Sequence, residues 1–565
     1  MKNILIAIRS IFKKGRHNVM KIVSLGIGLA VGLVLIAKVY FEQSYDDFYP
    51  DRDRVYQVWA KYQQNGGELK DYPQTSGGIA PTMQQQIPEI ETVTRYTSFG
   101  DWTFTMTDTK MKYSGRCIIA DSCFFDILPR PMLIGNAKEV LSTPMYVLIS
   151  SRIAKNIGGD VIGKNFTVDN SPGRTMTIGG VFEEVPENSH SRYDVIVSMA
   201  SAGRFMWEGS PTNMLGNDRY ISYVKLHKGV NPLALEEQVR TFVNSYFPPE
   251  EQQKVGLSID FSFHKLDNLH KELPQVKRMT WILSLLAFAL IFTAVMNYIL
   301  IVISSIVNRS KEVAVHKCYG ASENNIHGMM FGEALVHIVL SLILALLLIL
   351  AFRGTVEELL ATSLDSLLLS NGSLVLLGIC ILVFFVSGFM PGSLYARIPV
   401  ASAFRNYREN KRIWKKALLL VQFVATGFLV TMLVFVARQY TFMVNDRPGY
   451  AYENLAYCGL AGVDSTSRAK ILDEVMRLPG VAAATTVYQL PFEHASGNNI
   501  LLPGGTQELF NIADLYWVGN GYLDMMEIPV IQGRSFTENV TNSREVMVDR
   551  RFVEKMKLVA GWTDD

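Results

Sequence analysis

Five long stretches without Lys, Arg, Asp or Glu constrain the fold of this chain more than any other feature. They occupy residues 22–37, 279–308, 334–352, 366–396 and 417–437. A transmembrane helix needs about 20 mostly apolar residues, and most of the stretches reach or approach that length. The first extends to residue 41 because the ammonium group of Lys38 can reach the membrane interface.

Buried core helices of a large soluble protein are the alternative explanation for these stretches. Segment 341–352 is apolar on every side, which favours a lipid environment. The chain is 49% hydrophobic and 19% charged, which is too apolar for an average soluble protein and too polar for a simple helical bundle. We therefore predict a multi-pass α-helical membrane protein with large mixed α/β extracytoplasmic domains. The five predicted transmembrane helices lie at 22–41, 279–308, 334–352, 366–396 and 417–437.

The distribution of basic residues predicts the orientation of the chain. Residues 1–21 contain six Lys or Arg and no acid, and the linker 397–416 contains seven with one acid. The part of the connector around Arg309, Lys311 and Lys317 is also basic, whereas residues 354–365, in the short loop 353–365, contain acids and no Lys or Arg. The positive-inside rule therefore assigns the N-terminus and the basic connectors to the cytoplasm. Residues 42–278 and 438–565 are then predicted to lie outside.

The basic N-terminal region 1–21 has two interpretations. A cleaved signal peptide fits poorly, because the basic region is long and no Ala-x-Ala-like site follows the apolar stretch. Apolar residues within 3–14 fall on one helical face beside basic residues, which is typical of a helix in the membrane interface. We therefore predict a basic interfacial helix on the cytoplasmic side.

Segment 42–278 has the patterns of a folded mixed α/β domain. About 235 residues are enough to bury a sizeable core. A helix is expected after Asn231-Pro232, with apolar residues of 235–243 on one face. Alternating apolar residues predict two β-hairpins, one pairing 102–106 with 111–113 and the other pairing 166–168 with 176–178.

An internal repeat relates the two ends of the chain. Segment 125–128 (FDIL) with Gly135 parallels segment 523–526 (LDMM) with Gly533, and Arg9 corresponds to Arg405. The repeat predicts that 438–565 is a partial second outer domain. A completed repeat would need about 230 further residues and three further spans. The C-terminal sequence is therefore expected to reflect a truncation, the boundary of a fragment or a frameshift.

The connector contains a specific motif: residues 308–322 read NRSKEVAVHKCYGAS, and 331–333 read FGE. This resembles the permeases of the FtsX/MacB-like ABC transporter family, whose pattern is roughly R-x-x-E-[IV]-[GA]-[VI]-[RH]-[KR]-x-x-G-A-[ST] with a later F-x-x-E. The F-G-E spacing is one residue shorter than usual. Segment 185–190 (VPENSH) looks like the outer-domain signature of the duplicated members. The repeat unit of one span, an outer domain and three spans is similar to the same family.

The resemblance implies a permease subunit of the bacterial cytoplasmic (inner) membrane, without catalysis of its own. ATP and magnesium would be bound by a separate cytoplasmic ABC ATPase, so no cofactor is expected in this chain. The other expected partners are membrane lipid and a periplasmic adaptor or regulated envelope protein, without nucleic acid. The residues expected to couple to the ATPase are Arg309, Lys311, Glu312, Val313, His316, Lys317, Gly320, Ala321, Ser322, Phe331 and Glu333.

In physical terms the connector is predicted to be a docking helix. Val313, Val315 and the 326–330 region would supply apolar contacts, and the charged residues of 309–317 would fix the register. The alternative is that these charges only reflect the positive-inside rule and do not bind a partner. The expected work is export or extrusion of a peptide, drug or lipid-linked cargo through movement of the outer domains. A non-transporting envelope regulator and a membrane-anchored enzyme are the alternative functions.

Other candidate sites have weaker support. Segment 158–165 (GGDVIGKN) nearly matches a phosphate-binding loop, but Asn165 replaces the Ser or Thr that would hold magnesium, so a turn before a strand is predicted. Cys117 and Cys123 are compatible with a disulfide or with two buried free thiols. No metal motif is present.

Gly28 and Gly32 form a G-x-x-x-G predicted to pack against another helix. Glu333 and His337 could pair across helices or couple to the docking helix.

Overall fold

The computed structural model describes residues 17–64, 69–169, 173–216, 218–397, 399–401, 413–446, 449–460, 463–491, 496–501, 508–536 and 545–560. The interfacial helix predicted over 3–14 and most of the basic linker 397–416 lie outside these residues. The described residues fall into two compact units, divided after Phe428.

Within the part of the chain that the structure describes, five helices are long and apolar enough to cross a membrane, and each overlaps one apolar stretch of the sequence. We call them the first to fifth apolar helices in chain order: Asn18–Gln43, Pro274–Ser304, Glu323–Ala351, Ser373–Ala396 and Ile413–Asn445. Two stretches are divided. The second apolar helix ends at Ser304 and a separate helix, Ile306–Cys318, follows; we call it the connector helix. The stretch from 366 contains the end of a short helix, Leu364–Leu368, before the fourth apolar helix begins.

Apolar side chains of the first four apolar helices and the connector helix form one buried cluster, including Leu29, Tyr298 and Val383. The first apolar helix packs closely on the second because both glycines of its G-x-x-x-G face that helix. A Cβ atom added at Gly28 would overlap Ala294, and one added at Gly32 would overlap Ile291. Glycine at these two positions therefore allows the backbones to approach.

The segment between the first two apolar helices folds around one large mixed sheet. Its strands are β1 Val55–Gln64, β2 Lys70–Tyr72, β3 Ile90–Met106, β4 Lys112–Ala120, β5 Met132–Ile134, β6 Tyr146–Ser150, β7 Asn165–Val168, β8 Thr175–Phe182, β9 Val195–Ser198, β10 Ile221–Leu226 and β11 Leu257–Lys265. The order is β11-β1-β10-β3-β4-β9-β6-β8-β5, with β2 beside β1 and β7 beside β3 and β8. The pairs β4–β9 and β6–β8 are parallel, and the others are antiparallel.

Both predicted hairpins are confirmed in this sheet. Phe104 of β3 pairs with Tyr113 of β4, and Phe166 of β7 pairs with Met176 of β8. The predicted helix after Asn231 begins as a 3-10 turn, Pro232–Leu235, and continues as Glu236–Tyr246 with its apolar face buried. The remaining helices of this domain are Ile79–Gln86, Phe124–Ile127, Ala137–Ser142, Ser151–Ile157, Ala202–Phe205 and Pro249–Val255. Helix Arg353–Leu360 follows the third apolar helix.

The second unit contains a hairpin of β12 Ser496–Leu501 and β13 Glu508–Leu515 and the helices Ser465–Met476, Tyr522–Met525 and Arg550–Ala560. Two local structures recur at the predicted offset. The short helices Phe124–Ile127 and Tyr522–Met525 occupy matching positions. Gly135 and Gly533, eight residues after each helix, both have positive φ, 85° and 88°. The sequence repeat is therefore accompanied by a repeat of local backbone conformation.

Candidate functional site

The connector helix ends in a hydrogen-bonded turn that fixes the start of the third apolar helix. The N–H of Gly320 donates to the carbonyl of Lys317 and that of Ala321 to the carbonyl of His316, both at 3.0 Å. Gly320 has φ +86°, as expected of a Schellman motif, in which glycine adopts the left-handed conformation without strain. Ser322 then caps the third apolar helix by accepting from the N–H of Asn325. These three motif residues therefore shape the turn itself.

One face of the connector helix is buried in the chain. Arg309 and Val313, one helical turn apart, are 6% and 1% exposed, and the adjacent Ser310 and Ala314 are also buried. Val313 joins the apolar cluster of the bundle. The surface contacts that the sequence predicted for Arg309 and Val313 do not fit this burial. The two residues instead attach the connector helix to the apolar helices.

Glu333 lies at the centre of a buried ion cluster. Its two carboxylate oxygens contact different cations: Oε2 is 2.8 Å from Arg309 Nη1, and Oε1 is 3.4 Å from Lys21 Nζ. Glu312 Oε2 lies 3.7 Å from Arg309 Nε at the solvent edge. We call Lys21, Arg309, Glu312 and Glu333 the Glu333 cluster. Because buried charges are costly unless paired, the cluster fixes the relative positions of the first apolar helix, the connector helix and the third apolar helix.

The fourth apolar helix is tied to the same region through its C-terminal end. Lys317 Nζ donates to the carbonyl of Ala396 at 2.7 Å, a favourable place for a cation because the helix ends there. The guanidinium of Arg309 lies over the ring of Tyr395 at 5.5 Å, and the Tyr395 hydroxyl contacts Ser305 Oγ at 3.1 Å. Movement of the connector helix would therefore displace the ends of several helices together.

The opposite face of the connector helix is exposed. Lys311, Val315 and His316 point outward, and Tyr319 at the tip is 89% exposed. Tyr319 was not predicted as a site residue, because it occupies an unspecified position of the family pattern. Its position directly before Gly320, where the connector helix ends, was the available signal.

Phe331 has a packing role rather than a surface role. It is half-buried, and its ring lies 5.5 Å from that of Phe384. Phe331 sits against Gly388 and His327 against Gly392, where added Cβ atoms would come within 2.5 Å and 2.7 Å of the respective rings. This second G-x-x-x-G also escaped the sequence analysis, although its signal is present within a charge-free stretch.

A second polar cluster lies at the other end of the first apolar helix. Glu42 contacts Lys38 Nζ at 2.7 Å and His270 Nε2 at 2.5 Å. Asp46 Oδ2 lies 2.6 Å from His190 Nδ1, and the ring of Tyr45 stacks on His270. We call Lys38, Glu42, Asp46, His190 and His270 the Glu42 joint.

The signature segment 185–190 supplies most contacts between the outer domain and this joint. The side-chain amide of Asn188 donates to the carbonyl of Ser44 at 2.6 Å, and the Ser189 hydroxyl donates to Asp46 at 2.6 Å. Glu187 accepts from the N–H of Ser363, in the segment between the third and fourth apolar helices, at 3.0 Å. The segment therefore contacts both the chain that enters the outer domain and the segment between the third and fourth apolar helices.

The weaker candidates have structural roles. Segment 158–165 follows helix Ser151–Ile157 and leads into β7, so helix precedes strand, the reverse of a phosphate-binding loop. The predicted turn before a strand is confirmed. Cys117 and Cys123 are both free, and burial raises the pKa of the Cys117 thiol. Among the described residues, no group of three or more His, Cys, Asp or Glu side chains could hold a metal ion.

Comparison with known proteins agrees with this architecture. The MacB-like periplasmic core domain matches residues 20–242, and the FtsX-like permease C-terminal domain matches residues 284–400. A solved domain of a candidate permease protein from Porphyromonas gingivalis is 33% identical, with 38% of this chain and 91% of that chain covered and a TM-score of 0.36. No curated protein matches the chain.

Two other solved structures are more distant in sequence. The periplasmic region of MacB from Actinobacillus actinomycetemcomitans is 15% identical, with coverage of 36% of this chain and 87% of that chain and a TM-score of 0.26. The extracellular domain of the noncanonic ABC-type transporter YknZ from Gram-positive bacteria is 11% identical, with coverage of 36% and 98% and a TM-score of 0.26. The two family domains follow each other in the expected order and together match more than half of the residues, so the chain belongs to the FtsX/MacB-like family of ABC transporter permeases.

Proposed function

We propose that the exposed face of the connector helix is the docking surface for a separate cytoplasmic ABC ATPase. The observation that supports this most is the contrast between its two faces. Arg309 and Val313 hold the helix to the bundle, while Tyr319 projects into solvent. Exposed tyrosine side chains are among those that most often contribute strongly to binding at protein interfaces.

The proposed orientation has the connector helix in the cytoplasm and the large sheet domain outside. The five apolar helices are long enough for a bilayer, and the basic residues of 1–21, 309–317 and 397–416 all fall on one side of it. The membrane is the bacterial cytoplasmic membrane, where the ATPase has access to ATP. ATP and magnesium are bound by the ATPase, and this chain couples their use to movement.

The proposed path of movement runs along the first apolar helix. A push on the connector helix reaches Lys21 through Arg309 and Glu333. Lys38 of the same helix lies roughly 25 Å further along its axis, at 1.5 Å per residue. There the Glu42 joint contacts the outer domain. A continuous helix with charged contacts at both ends is suited to transmit displacement from one side of a membrane to the other.

The proposed work is export or extrusion of cargo from the outer face. A cleft of about 460 Å³ beside Leu133, Ile134 and Val181 has the size of a small-ligand site and a partly apolar lining, which supports cargo binding. The alternative is an envelope regulator that passes the same movement to an extracytoplasmic protein. An outer partner that is activated without any substrate being moved would favour that alternative.

The docking proposal is tested by purifying the full chain from bacterial membranes and identifying a co-purifying ABC ATPase by mass spectrometry. Tyr319→Ala should reduce recovery of the ATPase. The matched control is Tyr246→Ala, which removes an exposed tyrosine of the outer domain. Reduced recovery with both tyrosine variants would indicate a general loss of folded protein.

A functional readout separates docking from coupling. Addition of the parent chain in lipid nanodiscs should change the rate of ATP hydrolysis by the recovered ATPase, and Tyr319→Ala should weaken that effect. A hydrolysis rate that does not respond to the parent chain would contradict the permease proposal.

A further inference from the structure

A cavity in the outer domain is lined by an unusual number of arginines. It has a volume of about 310 Å³, at the lower end of the range for small-ligand sites. Its charged lining residues come from separate parts of the sheet domain: Arg116, Arg130, Arg152, Glu184, Arg192 and Asp194. Four guanidinium groups and two carboxylates leave an excess of two positive charges.

Arg130 is the most buried of the arginines that line this cavity. It is 6% exposed, and its guanidinium lies among aromatic rings, 5.1 Å from Phe182 and 5.7 Å from Phe124. Within the described part of the chain, its Nε and Nη2 atoms have no hydrogen-bond partner and it forms no ion pair with a carboxylate. Burial lowers the pKa of Arg130, which reflects the cost of this charge in its present surroundings.

Both acids of the cavity already form ion pairs with Arg152. Asp194 Oδ1 lies 2.6 Å from Arg152 Nη2, and Glu184 Oε1 lies 4.0 Å from Arg152 Nε. Asp194 Oδ2 also accepts from the backbone N–H of Arg116 at 3.0 Å. No ion pair is described for the side chains of Arg116 and Arg192 among the residues in the structure. Three of the four guanidinium groups are therefore available to an anion.

We propose that this cavity binds a phosphoryl group, either as free phosphate or as part of a larger molecule. Guanidinium groups approaching from several directions suit a tetrahedral anion with many acceptor oxygens. The excess of two charges matches a phosphate dianion, which would also give Arg130 an anionic partner in addition to its hydrogen bond with the hydroxyl of Tyr49. The site goes beyond the docking function proposed above and does not depend on it.

The position of the cavity connects ligand binding to the membrane helices. Glu184, Arg192 and Asp194 bracket the signature segment, whose Asn188 and His190 contact the Glu42 joint. A phosphoryl group bridging Arg192 and Arg130 would therefore hold the C-terminal end of this short segment against the part of the domain that carries Arg130. Occupation of the cavity and movement of the joint should then influence each other.

The test uses the full chain purified in detergent and isothermal titration calorimetry with inorganic phosphate. A short-chain phosphatidic acid is titrated in parallel, with short-chain phosphatidylcholine and acetate as comparison ligands. We expect saturable binding of phosphate or phosphatidic acid. Tighter binding of phosphatidic acid identifies a lipid headgroup as the source, and equal or tighter binding of phosphate identifies a soluble phosphoryl ligand. Either result supports the site.

Variants localise the binding. Arg116→Gln with Arg192→Gln should weaken it about tenfold or more, because charge-assisted hydrogen bonds are lost at the cavity mouth. Arg130→Gln should also weaken it, whether or not it changes the stability of the free protein. Arg240→Gln, an exposed arginine on helix Glu236–Tyr246, is the matched control and should stay within about twofold.

Three results would overturn the proposal. One is the lack of saturable binding for both phosphate and phosphatidic acid. Another is an equal loss of binding in Arg240→Gln and in the double variant, because the effect would then reflect overall charge. The third is acetate binding as tightly as phosphate, which would mean that the cavity does not select a phosphoryl group.

Discussion

The Glu333 cluster and the Glu42 joint lie at opposite ends of the first apolar helix. Both are built around a buried carboxylate, but its partners differ. In each, one buried carboxylate contacts two basic groups. At Glu333 both are permanently charged, Lys21 and Arg309. At Glu42 one is Lys38 and the other is His270, so only one of the two is a permanent cation. The comparison indicates that the attachment at Glu333 depends on more buried permanent charge than the attachment at Glu42.

Neutral contacts support the ions at both ends. At the Glu42 joint, Lys38 Nζ also donates to the Thr362 hydroxyl at 2.8 Å, and Ser189 donates to Asp46. At the Glu333 cluster, Lys21 Nζ also donates to Asn18 Oδ1 at 3.2 Å, but two permanent cations, Lys21 and Arg309, are almost fully buried there. Removal of the central carboxylate should therefore have a larger effect at Glu333 than at Glu42.

The largest effect is expected for Glu333→Gln. The change leaves Lys21 and Arg309 buried without a full negative charge, and it should lower the free energy of unfolding by about 3–5 kcal/mol. The measurement is thermal or denaturant unfolding of the full chain in detergent. The control is Glu358→Gln, an exposed acid in helix Arg353–Leu360, which should change stability by less than about 0.5 kcal/mol. Equal stability of the two variants would mean that the buried carboxylate of Glu333 does not stabilise the bundle, and the contrast with the Glu42 joint would not hold.

The second-largest effect is expected when the close packing of the first apolar helix, which joins the two ends, is disturbed. Gly28→Ile should destabilise the bundle by about 1–3 kcal/mol, because the new side chain would overlap Ala294 and separate the first two apolar helices. Gly378→Ile is the matched control, since nothing lies within 4 Å of a Cβ atom added there. A Gly28 variant as stable as the control would show that close packing does not hold this helix in place.

A smaller loss is expected for Glu42→Gln, about 1–2 kcal/mol by the same unfolding measurement. Lys38 keeps its hydrogen bond to Thr362, and it is the one permanent cation that loses its carboxylate, whereas two lose theirs at Glu333. Asp47→Asn, at a more exposed acid near the same joint, is the control. A loss equal to that of Glu333→Gln would mean that both ends depend equally on their buried carboxylate.

The smallest effect on stability is expected for Tyr319→Ala, less than about 0.5 kcal/mol, because its side chain is 89% exposed. The same variant should nevertheless show the large loss of ATPase recovery described above. A stability loss comparable to that of Glu333→Gln would place Tyr319 among the residues that hold the bundle together, and it would contradict its assignment to the docking face.

Local features of the fold could be predicted from the sequence because they depend on neighbouring residues. Alternation of apolar residues identified both hairpins, and the turn before β7 followed from its glycines. The limits of the second and fourth apolar helices were harder to predict. Apolar composition continues past Ser304, where the helix ends and the connector helix begins. Hydropathy alone does not detect such a break.

Contacts between residues far apart in the chain could not be predicted from the sequence in the same way. The connector motif was visible in the sequence, but helical periodicity shows only which residues share a face, not which face is covered. Val313 was therefore assigned to the surface although it is buried. Likewise, Lys21 and Glu333 are 312 positions apart, and no local pattern links them. Arg130 and Arg192 meet at one cavity for the same reason: only the sheet topology brings them together.

The hydrogen bond between Glu187 and the N–H of Ser363 limits how the outer domain can turn. The chain enters the domain after Gln43 and leaves it before Pro274, and the contacts of the Glu42 joint lie close to these two covalent attachments. The bond to Ser363 is a further, non-covalent attachment to a different segment, the one between the third and fourth apolar helices. Its release would leave the domain held where the chain enters and leaves it, and rotation about the line through these two places would become easier.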